Sequence, residues 1–227
     1  MYPQQNAPFV DQESIFEVFM FEVILASSSP RRRIWISKML ESFGVDLSFF
    51  DLRGSEPEPG HGSEVRKQVE KSCTYKAIEA SKSIPGEEGD NRIILVSDTL
   101  VEDPDDNLCA LGKPIDRMAA ASSLIRLSGR RHLVWSSTAI LEIGKGALEL
   151  KGGWRASIFT DSSIVEFEEI SHEMLDEMIS TKSWSGKAGG YDLGGIAGSV
   201  AKVVRGKEVT VLGFSCNSMD VLTNRLS

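Results

Sequence analysis

One stretch near the start of the chain constrains the fold more than any other. Residues 23–33 read VILASSSPRRR, an apolar run that stops at three serines, a proline and three arginines. The apolar run predicts a buried strand. Pro30 is typical of the first turn of a helix, Ser29 is a good N-cap, and Gly44 is a good C-cap for the segment that follows. The sequence therefore predicts a strand, a tight turn and a helix in immediate succession.

This arrangement favours an anion site. A helix N-terminus at the end of a strand presents backbone N–H groups and a partial positive charge, and Arg31 and Arg32 can add guanidinium groups. The alternative is a solvated arginine run, although basic residues at a helix start oppose the helix dipole. The chain has 33 acidic and 25 basic residues, a net charge of −8. A nucleic-acid binder normally carries the opposite sign, so we expect a local basic pocket and no nucleic-acid partner.

Three further features indicate where the protein works. Cys73, Cys109 and Cys216 are widely spaced, which favours free thiols in a reducing compartment. The first twenty residues resemble neither a signal nor a transit peptide. No apolar run approaches the roughly 20 residues that cross a bilayer. We therefore expect a cytoplasmic protein that does not associate with membranes.

The pattern of elements predicts an α/β fold with an elongated mixed sheet flanked by helices. Residues 1–14 are predicted to be a flexible lead, and residues 15–227 a single domain. Residues 63–83 have helical periodicity with Ser63 as N-cap, whereas the second half is rich in alternating strand patterns separated by glycine turns. Residues 199–214 predict two strands about Gly206. The expected architecture has two lobes with an active-site cleft between them.

Four charged residues are candidates for chemistry. Asp98 ends the predicted strand IILVSDTLV, where α/β proteins place metals and ligands, so it could bind a divalent cation or act as a general base. The alternative is a carboxylate that caps a turn. Lys113 in ALGKP could neutralise a phosphate or lie in an ordinary surface turn. Lys76 is a weaker candidate because helices carry many solvated lysines, and Glu56 in GSEPEP is a weaker candidate still.

A glycine-rich segment at residues 187–198, KAGGYDLGGIAG, permits close approach of the backbone to a ligand. It matches no dinucleotide-binding fingerprint, because no strand–GxGxxG–helix frame surrounds it. A tight connection between a helix and a strand is the alternative. The three histidines are scattered and suggest no catalytic arrangement.

Taken together, these blocks resemble the Maf family of nucleotide pyrophosphatases, which is related to the inosine triphosphate pyrophosphatases. LASSSPRR, SDTLV, LGKP, LIRLSGRRHLVWSSTAI, KAGGYDLGG and VLGFSCNSMDVL follow the order of the family's motifs and span about residues 23–222. The resemblance implies hydrolysis of a nucleoside triphosphate between its α- and β-phosphates. It also implies a divalent cation, Mg²⁺ or Mn²⁺, and a homodimer.

The resemblance assigns roles to individual residues. Asp98 is the implied general base, Glu56 and Asp98 are the implied metal ligands, and Lys76 and Lys113 lie at the polyphosphate. Ser27 and Arg31 belong to the anion loop. The implied substrate-specificity positions are Arg31, Thr99 and Gly194.

The chain departs from the family's motifs at the glycine-rich segment. The family has Gln where this chain has Gly194, and Asp192 stands two residues upstream. Arg31 and Thr99 match members that prefer pyrimidines, so we expect uridine or thymidine triphosphate to be preferred. Without the side-chain amide of that Gln, the preference for uridine or thymidine triphosphate should be shallow. The alternative is that Asp192 supplies the missing contact and keeps the preference sharp. Two other functions stay open: a nucleotide-binding regulator of division without catalysis, and a phosphatase that releases orthophosphate.

Overall fold

The computed structural model describes residues 21–52 and 62–227. Its strands are β1 (Glu22–Ala26), β2 (Asp46–Phe50), β3 (Arg92–Asp103), β4 (Asp106–Leu111), β5 (Arg131–Ile143), β6 (Leu148–Glu149), β7 (Trp154–Phe167) and β8 (Ala201–Arg205). Its helices are α1 (Pro30–Leu40), α2 (Val65–Ser83), α3 (Arg117–Leu127), α4 (His172–Ser180), α5 (Glu208–Leu212) and α6 (Cys216–Leu226).

The strands form one mixed sheet, as the sequence predicts. The main order is β2-β1-β3-β5-β7-β6, with β4 paired to β3 and β8 paired to β7. β1 is parallel to β2 and β3, whereas β3, β5 and β7 pair in antiparallel fashion. The α/β class with helices flanking a mixed sheet is therefore confirmed.

Both faces of β1 are covered, which explains why its sequence is a continuous apolar run. Ile24 packs in a cluster with residues of α2, while Val23 and Leu25 pack in a second cluster with α1 and α6. Side chains alternate between the two faces along a strand, so β3 follows the same rule with its own apolar residues. A third cluster lies at the other end of the sheet, beneath α3, α4 and the glycine-rich segment.

A gap in strand pairing positions the cleft. β1 pairs with β3 only as far as Leu95, and β4 begins to pair on β3 at Val101. Neither of these strands pairs with residues 96–100, and Asp98 stands in the middle of that stretch. Asp98 was predicted to end its strand, and that prediction was wrong: β3 continues past it to Asp103, because β5 pairs with residues 94–101. The carboxyl end of a parallel strand beside such a gap is the position where α/β sheets bind ligands.

Two predicted helix starts differ in detail. Ser29 does occupy the N-cap of α1, but its side chain makes no capping hydrogen bond. Ser63 is not the cap of α2, since Glu64 holds that position. The carbonyl of Ser63 instead accepts a 2.6 Å hydrogen bond from Gln68 Nε2. No helix among residues 21–52 and 62–227 is both long and apolar enough to span a membrane.

Two further boundaries were wrong. α1 ends at Leu40, and Gly44 lies in the turn beyond it with φ of 64°. The second strand predicted about Gly206 is the short helix α5, which buries Thr210 and Val211. The predicted lead at residues 1–14 lies outside the described residues.

Candidate active site

A cleft of about 640 Å³ opens beside the gap in strand pairing. Its wall is formed by the turn after β1, the start of α1, the middle of α2 and β3, the segment after β4, and the glycine-rich segment. Five basic side chains and three acidic ones line it: Arg31, Arg32, Lys76, Lys113 and Lys187, with Glu79, Asp98 and Asp192. The cleft is therefore locally basic in a chain whose net charge is −8.

A buried ion pair lies at the floor of the cleft. Asp98 projects from β3 on the face that carries α2, because it is in alternation with Ile94 and Val96, which pack against that helix. Lys76 of α2 meets it, with Nζ 2.6 Å from Asp98 Oδ1. Each residue is only 8% exposed. The structure thus supports neither a turn-capping role for Asp98 nor a solvated one for Lys76.

The arginine run does not project into solvent. Arg31 Nη1 lies 3.2 Å from Asp192 Oδ1 on the opposite wall. Arg33 Nε donates to the carbonyl of Ser27 at 2.8 Å, and the hydroxyl of Ser27 accepts the N–H of Ser29 at 3.2 Å. These bonds shape the serine turn in front of the N-terminus of α1, so the predicted anion loop is held by its own arginine.

Arg32 ties α1 to the strand that carries Asp98. Its guanidinium donates to Ser97 O at 2.9 Å, to Thr99 Oγ1 at 2.8 Å and to Gly213 O at 2.9 Å. The two β3 partners are the chain neighbours of Asp98. Arg32 was expected to face an anion together with Arg31, but these three bonds give it a positioning role as well.

The segment that carries Lys113 is attached to the glycine-rich segment. The N–H of Gly189 donates to the carbonyl of Gly112 at 3.0 Å. Gly190 has φ of 76°, and a β-carbon there would lie 3.2 Å from Pro114 Cγ. Glycine is needed at this position because the backbone is left-handed and closely packed. The contact places Lys113 at the rim of the cleft.

A buried hydrogen bond anchors the glycine-rich segment. The hydroxyl of Tyr191 lies 2.8 Å from Nε2 of His132 on β5, and the Tyr191 ring packs edge-on against Phe167. Burial lowers the pKa of His132 to about 4 and raises the pKa of Tyr191. Both side chains are therefore neutral near pH 7, and they support the segment without a role in proton transfer. Sequence reasoning assigned His132 nothing.

The next residue, Asp192, faces the cleft, whereas Gly194 does not line it. Asp192 Oδ1 accepts the backbone N–H of Gly194 at 3.1 Å, and Oδ2 lies 3.8 Å from Lys187 Nζ. The carboxylate is thus in contact with groups from both walls.

The structure brings six of the eight predicted residues to the same cleft: Ser27, Arg31, Lys76, Asp98, Thr99 and Lys113. Glu56 lies outside the described residues, and Gly194 is exposed and does not line the cleft. Sequence reasoning missed Lys187 and Glu79. Lys187 begins the glycine-rich motif. Glu79 lies three residues after Lys76, and this spacing places Lys76 and Glu79 on one face of α2.

The chain is similar to known proteins along most of its length. Residues 22–225 match the family model described as Maf-like protein. The dTTP/UTP pyrophosphatase of Clostridium beijerinckii is 30% identical over 205 residues, which are 90% of this chain and 99% of that protein. A human protein named probable bifunctional dTTP/UTP pyrophosphatase/methyltransferase protein is 32% identical over 199 residues, covering 86% of this chain and 30% of that protein.

Two solved structures overlap with part of the chain. The nucleoside-triphosphatase / dITP/XTP pyrophosphatase of Mycobacterium abscessus has a TM-score of 0.40 at 16% identity, over 64% of this chain and 72% of that one. A HAM1 protein from Coxiella burnetii has a TM-score of 0.39 at 12% identity, over 65% of this chain and 73% of that one.

Proposed function

This chain belongs to the Maf family, and from that premise we propose that it hydrolyses nucleoside triphosphates to a monophosphate and pyrophosphate. The observation that carries the proposal is the Asp98–Lys76 pair at the floor of a basic cleft. The relatives named dTTP/UTP pyrophosphatases support the same activity. Such an enzyme would serve the upkeep of the nucleotide pool.

The cleft contains the groups that this hydrolysis needs. Water attacks a phosphorus atom of the α–β bridge, its proton passes to a base, and the bond to the bridging oxygen breaks. Asp98 is the carboxylate best placed to accept that proton, and Lys76 holds it in position at 2.6 Å. Lys113 and Lys76 would neutralise charge on the phosphate oxygens, which is the main demand of phosphoryl transfer.

A divalent cation fits this donor set. The described residues contain no cluster of three His, Cys, Asp or Glu side chains that could hold a metal alone. Mg²⁺ is often bound by one or two carboxylates together with substrate phosphates, and Asp98 and Glu79 both line the cleft. We propose Asp98 as a ligand, with Glu56 as the second ligand implied by the resemblance. When bound, Mg²⁺ or Mn²⁺ would withdraw charge from the phosphate oxygens.

We propose uridine or thymidine triphosphate as the preferred substrate. The names of the bacterial relatives support this choice, as do Arg31 and Thr99 at the positions that the resemblance assigns to specificity. Thr99 already binds Arg32 and also lies 2.8 Å from Ser136 Oγ. Its hydroxyl is therefore held in one orientation beside the cleft.

The test is a nucleotide panel with Mg²⁺ or Mn²⁺ in which the released phosphate is identified. Pyrophosphate together with the monophosphate is the expected product, and chelation of the metal should abolish its release. Orthophosphate would indicate a phosphatase, and binding without turnover would indicate a nucleotide-binding regulator. Either result would contradict the proposal.

We also propose a homodimer in the cytoplasm. The resemblance supports the dimer, and the three free cysteines support a reducing compartment. Light scattering should give twice the chain mass of 24.9 kDa. A monomer at micromolar concentration would contradict the proposed homodimer.

A further inference from the structure

Asp192 holds an unusual position for a carboxylate in a cleft that binds phosphates. It follows Tyr191, whose buried hydroxyl is fixed by His132, so the backbone that carries Asp192 is anchored. The Asp192 side chain is 16% exposed. It contacts Arg31 at 3.2 Å, the Gly194 N–H at 3.1 Å and Lys187 at 3.8 Å. Three donors from two walls therefore hold it in one orientation.

This carboxylate is unsuited to contact with phosphates. Unlike Asp98, Asp192 has no assigned metal that would offset its charge, so it would repel a polyphosphate beside it, and like charges in contact cost several kcal/mol. Lys76 and Lys113 lie on other segments of the wall, on α2 and after β4. The Arg31–Asp192 side of the cleft is therefore the side that suits the uncharged part of a nucleotide, its base.

The pair has the hydrogen-bonding character of a primary amide. Arg31 supplies N–H donors, and Asp192 supplies acceptor oxygens directly beside them. Gly194 has no side chain, and its N–H is bonded to Asp192. The two charged residues thus present a donor and an acceptor at the cleft wall, which Gly194 does not line.

We propose that Asp192, held by Arg31 and Lys187, is a specificity-determining residue that recognises the base. This inference rests on the proposed function. The carboxylate accepts a ring N–H, and Arg31 donates to the neighbouring keto oxygen. Uracil and thymine have this pattern, and guanine has it too. Cytosine and adenine present an unprotonated ring nitrogen beside an amino group, so they direct a lone pair at the carboxylate. Of the two outcomes left open by the sequence, sharp discrimination of uracil and thymine from cytosine follows.

The experiment compares substrates of equal size that differ in this pattern. Values of kcat/KM are measured for UTP and CTP, and for GTP and ATP, with the wild-type protein and with Asp192→Asn. We expect the wild type to favour UTP over CTP. The substitution keeps the shape of the side chain but lets it donate as well as accept, so the UTP/CTP ratio should fall about tenfold or more, as expected for loss of one good base contact. The GTP/ATP ratio should fall in the same direction.

Asp105→Asn is the matched control. Asp105 also pairs with an arginine, since its Oδ2 accepts from Arg130 Nη1 at 2.9 Å, but it lies outside the cleft. Its ratios should equal those of the wild type. Should Asp192→Asn lack a cooperative melting transition, Asp192→Ser carries the same expectation, because its hydroxyl can accept the Gly194 N–H.

The outcomes separate this inference from the function on which it rests. A wild type that releases no pyrophosphate from any nucleotide would refute the proposed function. A wild type that turns over UTP and CTP equally would refute the inference alone. So would a variant at position 192 whose UTP/CTP ratio stays within twofold of the wild-type ratio, even if kcat/KM falls uniformly. Uniform loss would mean that Asp192 only positions Arg31.

Discussion

The substitution Asp98→Asn should separate the catalytic and structural contributions of the ion pair. The amide has nearly the same shape but cannot accept a proton as a base. Loss of general-base catalysis should lower kcat about 10²–10⁴-fold, which corresponds to about 3–5 kcal/mol in the activation free energy. Nucleotide binding should be affected much less, because the positive side chains of the cleft remain.

The same substitution should also destabilise the fold. Asp98 and Lys76 have side chains that are 11% exposed, and the atoms that pair are 2.6 Å apart. Removal of one charge from a buried pair costs about 3–5 kcal/mol, because the remaining charge loses the opposite charge with which it was paired. The pair borders an open cleft, where water can approach, so we expect about 3 kcal/mol in the free energy of unfolding.

A double-mutant cycle tests that reasoning. Lys76→Met combined with Asp98→Asn removes both charges, and replacement of a whole buried pair by neutral groups is often close to neutral. The double variant should therefore lose only about 1–2 kcal/mol in the free energy of unfolding, well below the sum of the two single losses. Urea titration followed by circular dichroism measures the unfolding, and pyrophosphate release measures kcat.

Two results would refute the argument. A folded Asp98→Asn variant with more than about a tenth of the wild-type kcat would remove Asp98 as the base. A double variant that loses the sum of the single losses would show that the pair is not coupled. Glu70→Gln is the control, since Glu70 pairs with Arg66 at 3.2 Å on the exposed face of α2. It should cost no more than about 0.5 kcal/mol.

Three further predictions concern the cleft and the contacts that support its walls. Lys113→Ala and Arg31→Ala should each lower kcat/KM for triphosphates by about 2–4 kcal/mol, and unchanged kinetics at low and high salt would assign that residue to the solvated surface. Burial lowers the pKa of His132 from 6.5 to about 4, so the unfolded chain binds a proton in that window while the folded protein does not. Stability should therefore fall between pH 6.5 and 4 by up to about 3 kcal/mol. His132→Gln should lack this part of the pH dependence, and an identical pH profile would contradict the assignment. Gly190→Ala should cost about 1–2 kcal/mol of stability and raise KM, because φ is 76° and Pro114 lies too close; wild-type melting and KM would contradict the close packing.

Much of the site was predictable because its parts are local in the chain. The run from Val23 to Arg33 encodes a strand, a turn and a helix start, and each choice depends on neighbours within a few residues. Asp98 was found because it follows a buried apolar run, although β3 continues past it to Asp103. The resemblance supplied Lys76 and Thr99, whose residue types alone would not distinguish them from solvated or structural positions.

Other features depended on contacts that no local pattern carries. Residues 208–212 contain β-branched side chains at strand-like spacing, yet they form α5, because Thr210 and Val211 are buried there and Ser136 donates to the Thr210 carbonyl. His132 and Tyr191 are 59 residues apart in the chain, so their hydrogen bond has no sequence signature.

Most of the order of strands and helices, the basic character of the turn at Arg31 and the carboxylate on β3 were encoded in the chain itself. They follow from periodicity and from residue chemistry over short spans. The partners of the charged groups were decided by the tertiary structure. Lys76 meets Asp98 across 22 residues, and Arg31 meets Asp192 across 161. Sheet pairing and helix packing set such distances, because a charge selects its partner by proximity in space and not by separation along the chain.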